Sequence, residues 1–299
     1  MLAYLISGYD MIRKASSIRP KSEVIIPAMN DRVRYKVEGH FFIIILNDPS
    51  HLNSLTFEDF VYIALLLKKA NDTDSILFTV LQSSGKYFSS GGKFSAVNEL
   101  NKEECTNEVK KISKLISAIS SPNIFVANAF ATHKKILVCC LNGPAIGLSA
   151  SLVALCDIVY SQNDSVFLLF PFSNLGFVAE VGTSVTLTQK LGINSANEHM
   201  IFSTPVQFKE LLGTIVTKNY QLTNTDTFNK KVLQDLKQDL EGLYPKSVLG
   251  MKELLHKEMK ENLIKAQATE TNGTLPFWAS GEPFKRFQQL QKRNRRHRL

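Results

Sequence analysis

Apolar residues recur along the chain in two alternating rhythms. Short runs rich in β-branched and aromatic residues fall at Arg34–Val37, Phe41–Leu46, Ile76–Gln82, Ile136–Leu141, Ile158–Tyr160 and Val166–Leu169. Each predicts a strand. Between several of them, apolar positions are spaced three and four apart, as on one face of a helix. Phe57–Lys69 follows Thr56, a predicted N-cap. Lys102–Ile119 is a longer amphipathic stretch, expected to end before Ser120-Ser121-Pro122. Strand–helix–strand alternation predicts an α/β domain with crossover connections. Beyond about Val181 the pattern is mostly helical: Ser184–Leu191, Ser195–Phe202, Val206–Leu212, Thr227–Leu243, Ser247–Lys265 and Pro283–Lys292. The expected layout is an extension over residues 1–31, an α/β core over 32–204, a helical region over 205–291 and a basic tail over 292–299.

Composition narrows the class without changing that picture. Of 299 residues, 44% are apolar and 21% charged, as in an ordinary globular protein. No uninterrupted apolar run reaches the roughly 18–20 residues a membrane-spanning helix needs, so no membrane span is expected. The net charge is 35 − 27 = +8. Much of it sits in Lys292, Arg293, Arg295, Arg296 and Arg298, with Lys285 and Arg286 just upstream. The body is therefore only mildly basic, and no groove-reading or base-stacking motif accompanies the tail, which argues against nucleic acid as a partner. Cys105, Cys139, Cys140 and Cys156 show no metal-ligand spacing, and three of them lie in apolar segments. Adjacent Cys139 and Cys140 point to opposite faces of a strand, so buried, reduced thiols are expected. The first 30 residues carry Arg13, Lys14, Arg19 and Lys21 in a weak pattern that reads as an unstructured extension.

Three segments carry chemistry. The first, Ser83 to Phe94, packs Ser89-Ser90-Gly91-Gly92 into a loop after a buried strand. Small residues let a ligand approach the backbone and leave N–H groups free to point at it. In the second, the strand Ile136–Leu141 runs into Asn142-Gly143-Pro144-Ala145-Ile146-Gly147-Leu148-Ser149-Ala150, where a glycine opens a helix. A helix N-terminus offers unpaired N–H groups suited to a developing oxyanion. The Gly147-Leu148-Ser149-Ala150 string lacks the second glycine of a nucleophile elbow, so Ser149 is not read as a nucleophile. In the third, Glu180 stands in a nearly uncharged stretch from Val166 to Thr188. Apolar surroundings raise a carboxyl pKa into the range useful for proton transfer. The competing reading of Glu180 is a carboxylate stabilised at a helix N-terminus.

In this order and spacing, with His51-Leu52-Asn53-Ser54-Leu55, Ala154-Leu155-Cys156-Asp157-Ile158 and Asn174-Leu175-Gly176, the chain resembles the enoyl-CoA hydratase/isomerase (crotonase) superfamily over about Arg32 to Leu290. It is most similar to the fungal peroxisomal Δ3,Δ2-enoyl-CoA isomerase and dienoyl-CoA isomerase group. The resemblance implies a crotonase-like α/β spiral of ββα turns, with the helical C-terminal region serving trimerisation. It also implies a homotrimer or homohexamer, a CoA thioester as substrate, and neither metal nor other cofactor. It places the oxyanion-hole donors on the backbone N–H of Gly92 and Leu148 and the base on Glu180. It places substrate contacts at Ser89, Ser90, Gly91, Phe94, Gly147 and Phe172, with Lys285 and Arg286 as candidates for the CoA phosphates.

The acids then select the reaction. Hydratases of this family use two, at positions held here by Ser151 and Phe172. Water addition needs both, whereas one base suffices for a double-bond shift. The expectation is a Δ3-to-Δ2 enoyl-CoA isomerase of fatty-acid β-oxidation, with Glu180 moving a proton from C2 to C4. The alternatives are a Δ3,5-Δ2,4-dienoyl-CoA isomerase, whose usual second acid Phe172 replaces, and a weakly active paralogue that partners a homologous isomerase. Lys93 stands where the family usually has Asp, and Val181 where close relatives have Gly. The terminal His297-Arg298-Leu299 resembles a peroxisomal address read by an import receptor, so the peroxisomal matrix is the expected location.

Overall fold

The computed structural model describes residues 31–93, 97 and 107–292. The N-terminal extension, Phe94, Cys105, the start of the Lys102–Ile119 stretch and the His297-Arg298-Leu299 tail lie outside the described residues.

Among the described residues nine strands form two sheets: β1 (Val33–Glu38), β2 (Phe41–Leu46), β3 (Phe78–Ser83), β4 (Ile136–Leu141), β5 (Ala145–Ile146), β6 (Ile158–Ser161), β7 (Phe167–Leu169), β8 (Val206–Gln207) and β9 (Lys218–Asn219). The larger sheet runs β1-β2-β3-β4-β6-β9 and is parallel except for β1. Ile43 pairs with Val80, Val80 with Val138, and Cys139 with Val159. β3 and β4 are buried at every position, as expected of central parallel strands covered on both faces. Cys139 joins the apolar cluster on one face and Cys140 the cluster on the other, and both are buried free thiols. The smaller sheet, β5-β7-β8, pairs the oxyanion-hole segment with β7.

The helix Phe57–Asn71 starts at Thr56 through a reciprocal capping box with Asp59. The expected stop at Ser120-Ser121-Pro122 does not occur. The helix Glu108–Leu115 passes through a π-turn at Ile116–Ser120 and continues as Ser121–Ala131. Pro122 lies in the first turn of that continuation, where its missing N–H is not needed.

The C-terminal part also departs from the helical reading. Val206–Gln207 is a strand followed by the short helix Phe208–Leu211, and β9 joins the larger sheet. The sheets thus draw on residues past 204. The expected Ser247–Lys265 helix instead spans Pro245–Ser280, with Pro276 inside it. The helix Glu282–Gln291 then turns back at Gly281, whose left-handed backbone (φ 79°) suits glycine. No helix of the described residues is long and apolar enough to cross a membrane.

Candidate active site

The Gly92 loop is held from two sides. Asn53 sits in the left-handed region (φ 52°) and is buried. Its side-chain amide donates to the carbonyls of Ser84 (2.8 Å) and Tyr87 (2.9 Å) and accepts from the Asp48 amide (2.8 Å). Leu55 donates to the Gly91 carbonyl (2.9 Å), and Lys93 N–H donates back to the Leu55 carbonyl (2.7 Å). This parallel bridge turns the N–H of Gly92, between them, away from Leu55. The His51–Leu55 motif is therefore a brace for the loop.

The second segment lies alongside. Phe88 donates to the Pro144 carbonyl and Ile146 to the Ser89 carbonyl, both at 3.0 Å. A Cβ on Gly143 would clash with the Lys86 carbonyl, and one on Gly91 (φ 89°) would stand 2.5 Å from the Ile146 carbonyl. Both glycines are required for the two segments to approach. Gly147 (φ 60°, ψ −133°) adopts a backbone open essentially to glycine alone and starts the helix Leu148–Ala154. As the first residue of that helix, Leu148 has an N–H without an intrahelical acceptor.

Gly92, Leu148 and Glu180 line one cleft, together with Ser90, Gly91, Lys93, Gly147 and Phe172. It holds about 710 Å³ of empty space, part of it open to solvent. The rest of its wall is mostly apolar: Leu55, Phe57, Phe60, Ile119, Leu175, Phe177, Trp278 and Phe287 contribute. The Glu180 side chain is only 5% exposed, and burial pushes its pKa up to about 8. Trp278, Asn123 and Thr274 lie beside the carboxyl and lower it somewhat, while Glu270 adds to the rise. None of them closes a hydrogen bond on Glu180 Oε1, which lacks a partner, as do Trp278 Nε1 and Thr274 Oγ1. Glu180 is also not the cap of the following helix. Glu270 takes that place, accepting from the amides of Gly182 (2.7 Å) and Ser184 (2.9 Å). The helix-terminus reading of Glu180 is thereby replaced by that of an unpaired carboxyl facing the cleft.

Some expected contacts fall elsewhere. Ser89 is fully buried and does not line the cleft; its hydroxyl donates to the Asn53 carbonyl (2.7 Å) and braces the loop. Arg286 is tied to Glu282 (2.6 Å) and to the Asn174 carbonyl (3.1 Å), so its guanidinium is spent on fixing the C-terminal helix. Lys285 is exposed, away from the cleft lining. Ser151 lies buried in its helix and Ser149 bonds to Ser89, so neither faces the cleft. Sequence reasoning missed Asn123, Glu270 and Trp278. The single tryptophan was the one available signal.

The α/β core thus brings the buried Glu180 side chain into one largely apolar cleft with Gly92 and Leu148, on a crotonase-like fold. The chain belongs to the enoyl-CoA hydratase/isomerase family, which it matches over residues 37–275. It is 86% identical over 271 residues to a Delta(3,5)-Delta(2,4)-dienoyl-CoA isomerase of Saccharomyces cerevisiae, covering 91% of this chain and 100% of that protein. It is 44% identical over 273 residues to a 3,2-trans-enoyl-CoA isomerase of the same yeast, covering 90% and 98%. Among solved structures, an enoyl-CoA hydratase/isomerase from Mycobacterium paratuberculosis superposes with a TM-score of 0.77 at 22% identity, covering 88% of this chain and 100% of the other.

Proposed function

We propose that the protein is a Δ3,5-Δ2,4-dienoyl-CoA isomerase. The observation that carries an isomerase reading is the buried Glu180, the one acidic residue lining the cleft among the described residues, in a cleft shared with Gly92 and Leu148. Ionised Glu180 takes a proton from C2 of the thioester. The charge moves onto the thioester oxygen, where the two amides stabilise the enolate, each by about 3 kcal/mol of barrier. Glu180 then returns the proton at the far end of the conjugated system, C6 for a 3,5-diene and C4 for a 3-ene. Hydration is disfavoured because Phe172 and Ser151 supply no second acid.

The choice of the diene over the monoene rests on the 86% identical yeast relative, and it replaces the Δ3-to-Δ2 expectation as the first reading. Phe172 keeps the monoene as the second reading, since one carboxyl must serve both ends of a longer proton shift. The CoA portion lies along Ser90 and Gly91 at the cleft wall; no other cofactor takes part. The protein works as an oligomer in the peroxisome.

The test is product analysis with 3,5-dienoyl-, 3-enoyl- and 2-enoyl-CoA side by side, for wild type and Glu180→Gln. The diene is expected to turn over fastest and the 2-enoyl ester not to hydrate. Glu180→Gln should lose about 10²–10⁴-fold in kcat while still binding the ester. Faster turnover of the 3-enoyl ester would favour the second reading, and equal rates for both proteins would remove Glu180 from its role.

A further inference from the structure

We propose that Glu270 is a positioning residue for proton transfer: its carboxylate clamps the turn that carries Glu180 and so fixes where the base sits in the cleft. This rests on the isomerase reading above and deepens it.

Glu270 lies on the Pro245–Ser280 helix, 88 residues from the turn it holds. It is 6% exposed. Its Oε2 accepts from Gly182 N–H (2.7 Å), and its Oε1 accepts from Ser184 N–H (2.9 Å) and Ser184 Oγ–H (2.6 Å). Three charge-assisted bonds converge two to four residues after the base. Thr183 secures the other side, its hydroxyl donating to the Glu180 carbonyl (2.8 Å). The turn needs such a hold. Val181 stands at φ 59°, a left-handed conformation costly for a β-branched residue, and such a backbone persists only where its surroundings enforce it.

A neutral residue could cap a helix. A buried carboxylate does more, because its charge reaches Glu180. A small gap lined by Ser120, Asn123, Gln267, Thr271 and Thr274 separates the rear of Glu180 from Glu270. The charged groups around the Glu180 carboxyl among the described residues are Glu270 behind it and Lys93 in the cleft wall. The negative charge of Glu270 pushes the Glu180 pKa upward, in addition to burial. One side chain thus fixes the place of the base and adds to the rise in its proton affinity that burial begins.

The experiment compares wild type, Glu270→Gln and Glu270→Asp in pH profiles of kcat and kcat/KM. All three are run on whichever of 3,5-dienoyl-CoA or 3-enoyl-CoA wild type turns over faster, so the identity of the substrate does not enter the comparison. Glu270→Gln keeps the shape but loses the charge and one acceptor. Its kcat should fall about tenfold with KM within twofold, and its acid limb should move down by at least half a pH unit. Glu270→Asp keeps the charge and withdraws the carboxylate, so kcat should fall about fivefold or more with the acid limb unmoved. An acid limb unmoved in Glu270→Gln, or wild-type kcat in Glu270→Asp, overturns the proposal. If Glu270→Gln does not fold, Glu270→Asp decides alone on kcat at constant KM.

Discussion

The hydroxyls of Ser89 and Ser149 lie 2.7 Å apart in the core and join the two segments that bring Gly92 and Leu148 to the cleft. The direction of this bond is fixed by its surroundings. Ser89 uses its one proton on the Asn53 carbonyl, so Ser149 must be the donor. Ser89 Oγ then accepts from both Ser149 and the Gly91 amide (3.2 Å). Two substitutions that look alike should therefore differ. Ser149→Ala removes one donor and leaves nothing buried without an acceptor, at a cost of about 1 kcal/mol. Ser89→Ala leaves both the Ser149 hydroxyl and the Gly91 amide unpaired, next to Gly92. It should cost about 2–4 kcal/mol in urea unfolding and lower kcat at least tenfold. Equal losses in the two variants would contradict this direction of bonding.

How much of this was legible in the sequence follows from how local each feature is. The strands Phe41–Leu46 and Ile136–Leu141 match their apolar runs, because a central parallel strand needs little besides that run. Gly92, Leu148 and Glu180 each stand in a self-contained segment, so their neighbours in the chain announce them. Glu270, Trp278 and Asn123 do not, since packing of distant elements brings them to the site. The Pro245–Ser280 helix shows why. Past Lys265 it contains threonines, Gly273 and Pro276, a poor helical composition. Burying Gln267, Glu270, Thr274 and Trp278 against the site overrides that propensity. The same holds at Ile116–Ser120, where a π-turn carries the chain past a sequence that reads as a stop and places Ile119 on the cleft wall.

The raised pKa of Glu180 makes a prediction about stability as well as rate. Its folded value of about 8 lies above the ordinary 4.5, so the unfolded chain releases this proton first. Stability is lost as pH rises from about 4.5 through about 8 and is level beyond. At about 1.4 kcal/mol per pH unit, the full effect amounts to several kcal/mol. Glu180→Gln carries no proton to lose. It should match wild type near pH 5 and exceed it by at least about 2 kcal/mol at pH 9 in urea unfolding. In the same pH range, kcat/KM of wild type should climb with pH and level off above about 8, because only the ionised base abstracts a proton. Parallel pH–stability curves for the two proteins would place the Glu180 carboxyl in water.

Val181 offers a contest between two opposed effects. Its side chain is 4% exposed and packs in the core, so truncation loses burial worth about 1.5–3 kcal/mol. Its left-handed backbone costs an L-residue about 1–2 kcal/mol, which glycine alone recovers. At an ordinary buried position, alanine is the better replacement for valine, because glycine carries more unfolded-state entropy. Here the order should invert or close. Val181→Ala loses the burial and keeps the strain, and should fall by about 2 kcal/mol. Val181→Gly loses more burial but releases the strain, and should be at least as stable as the alanine variant. Turnover in Val181→Gly should stay within a few-fold of wild type, because Glu270 and Thr183 still hold the turn on either side. A glycine variant 1 kcal/mol or more below the alanine variant in denaturant unfolding would mean that the turn is not strained at residue 181.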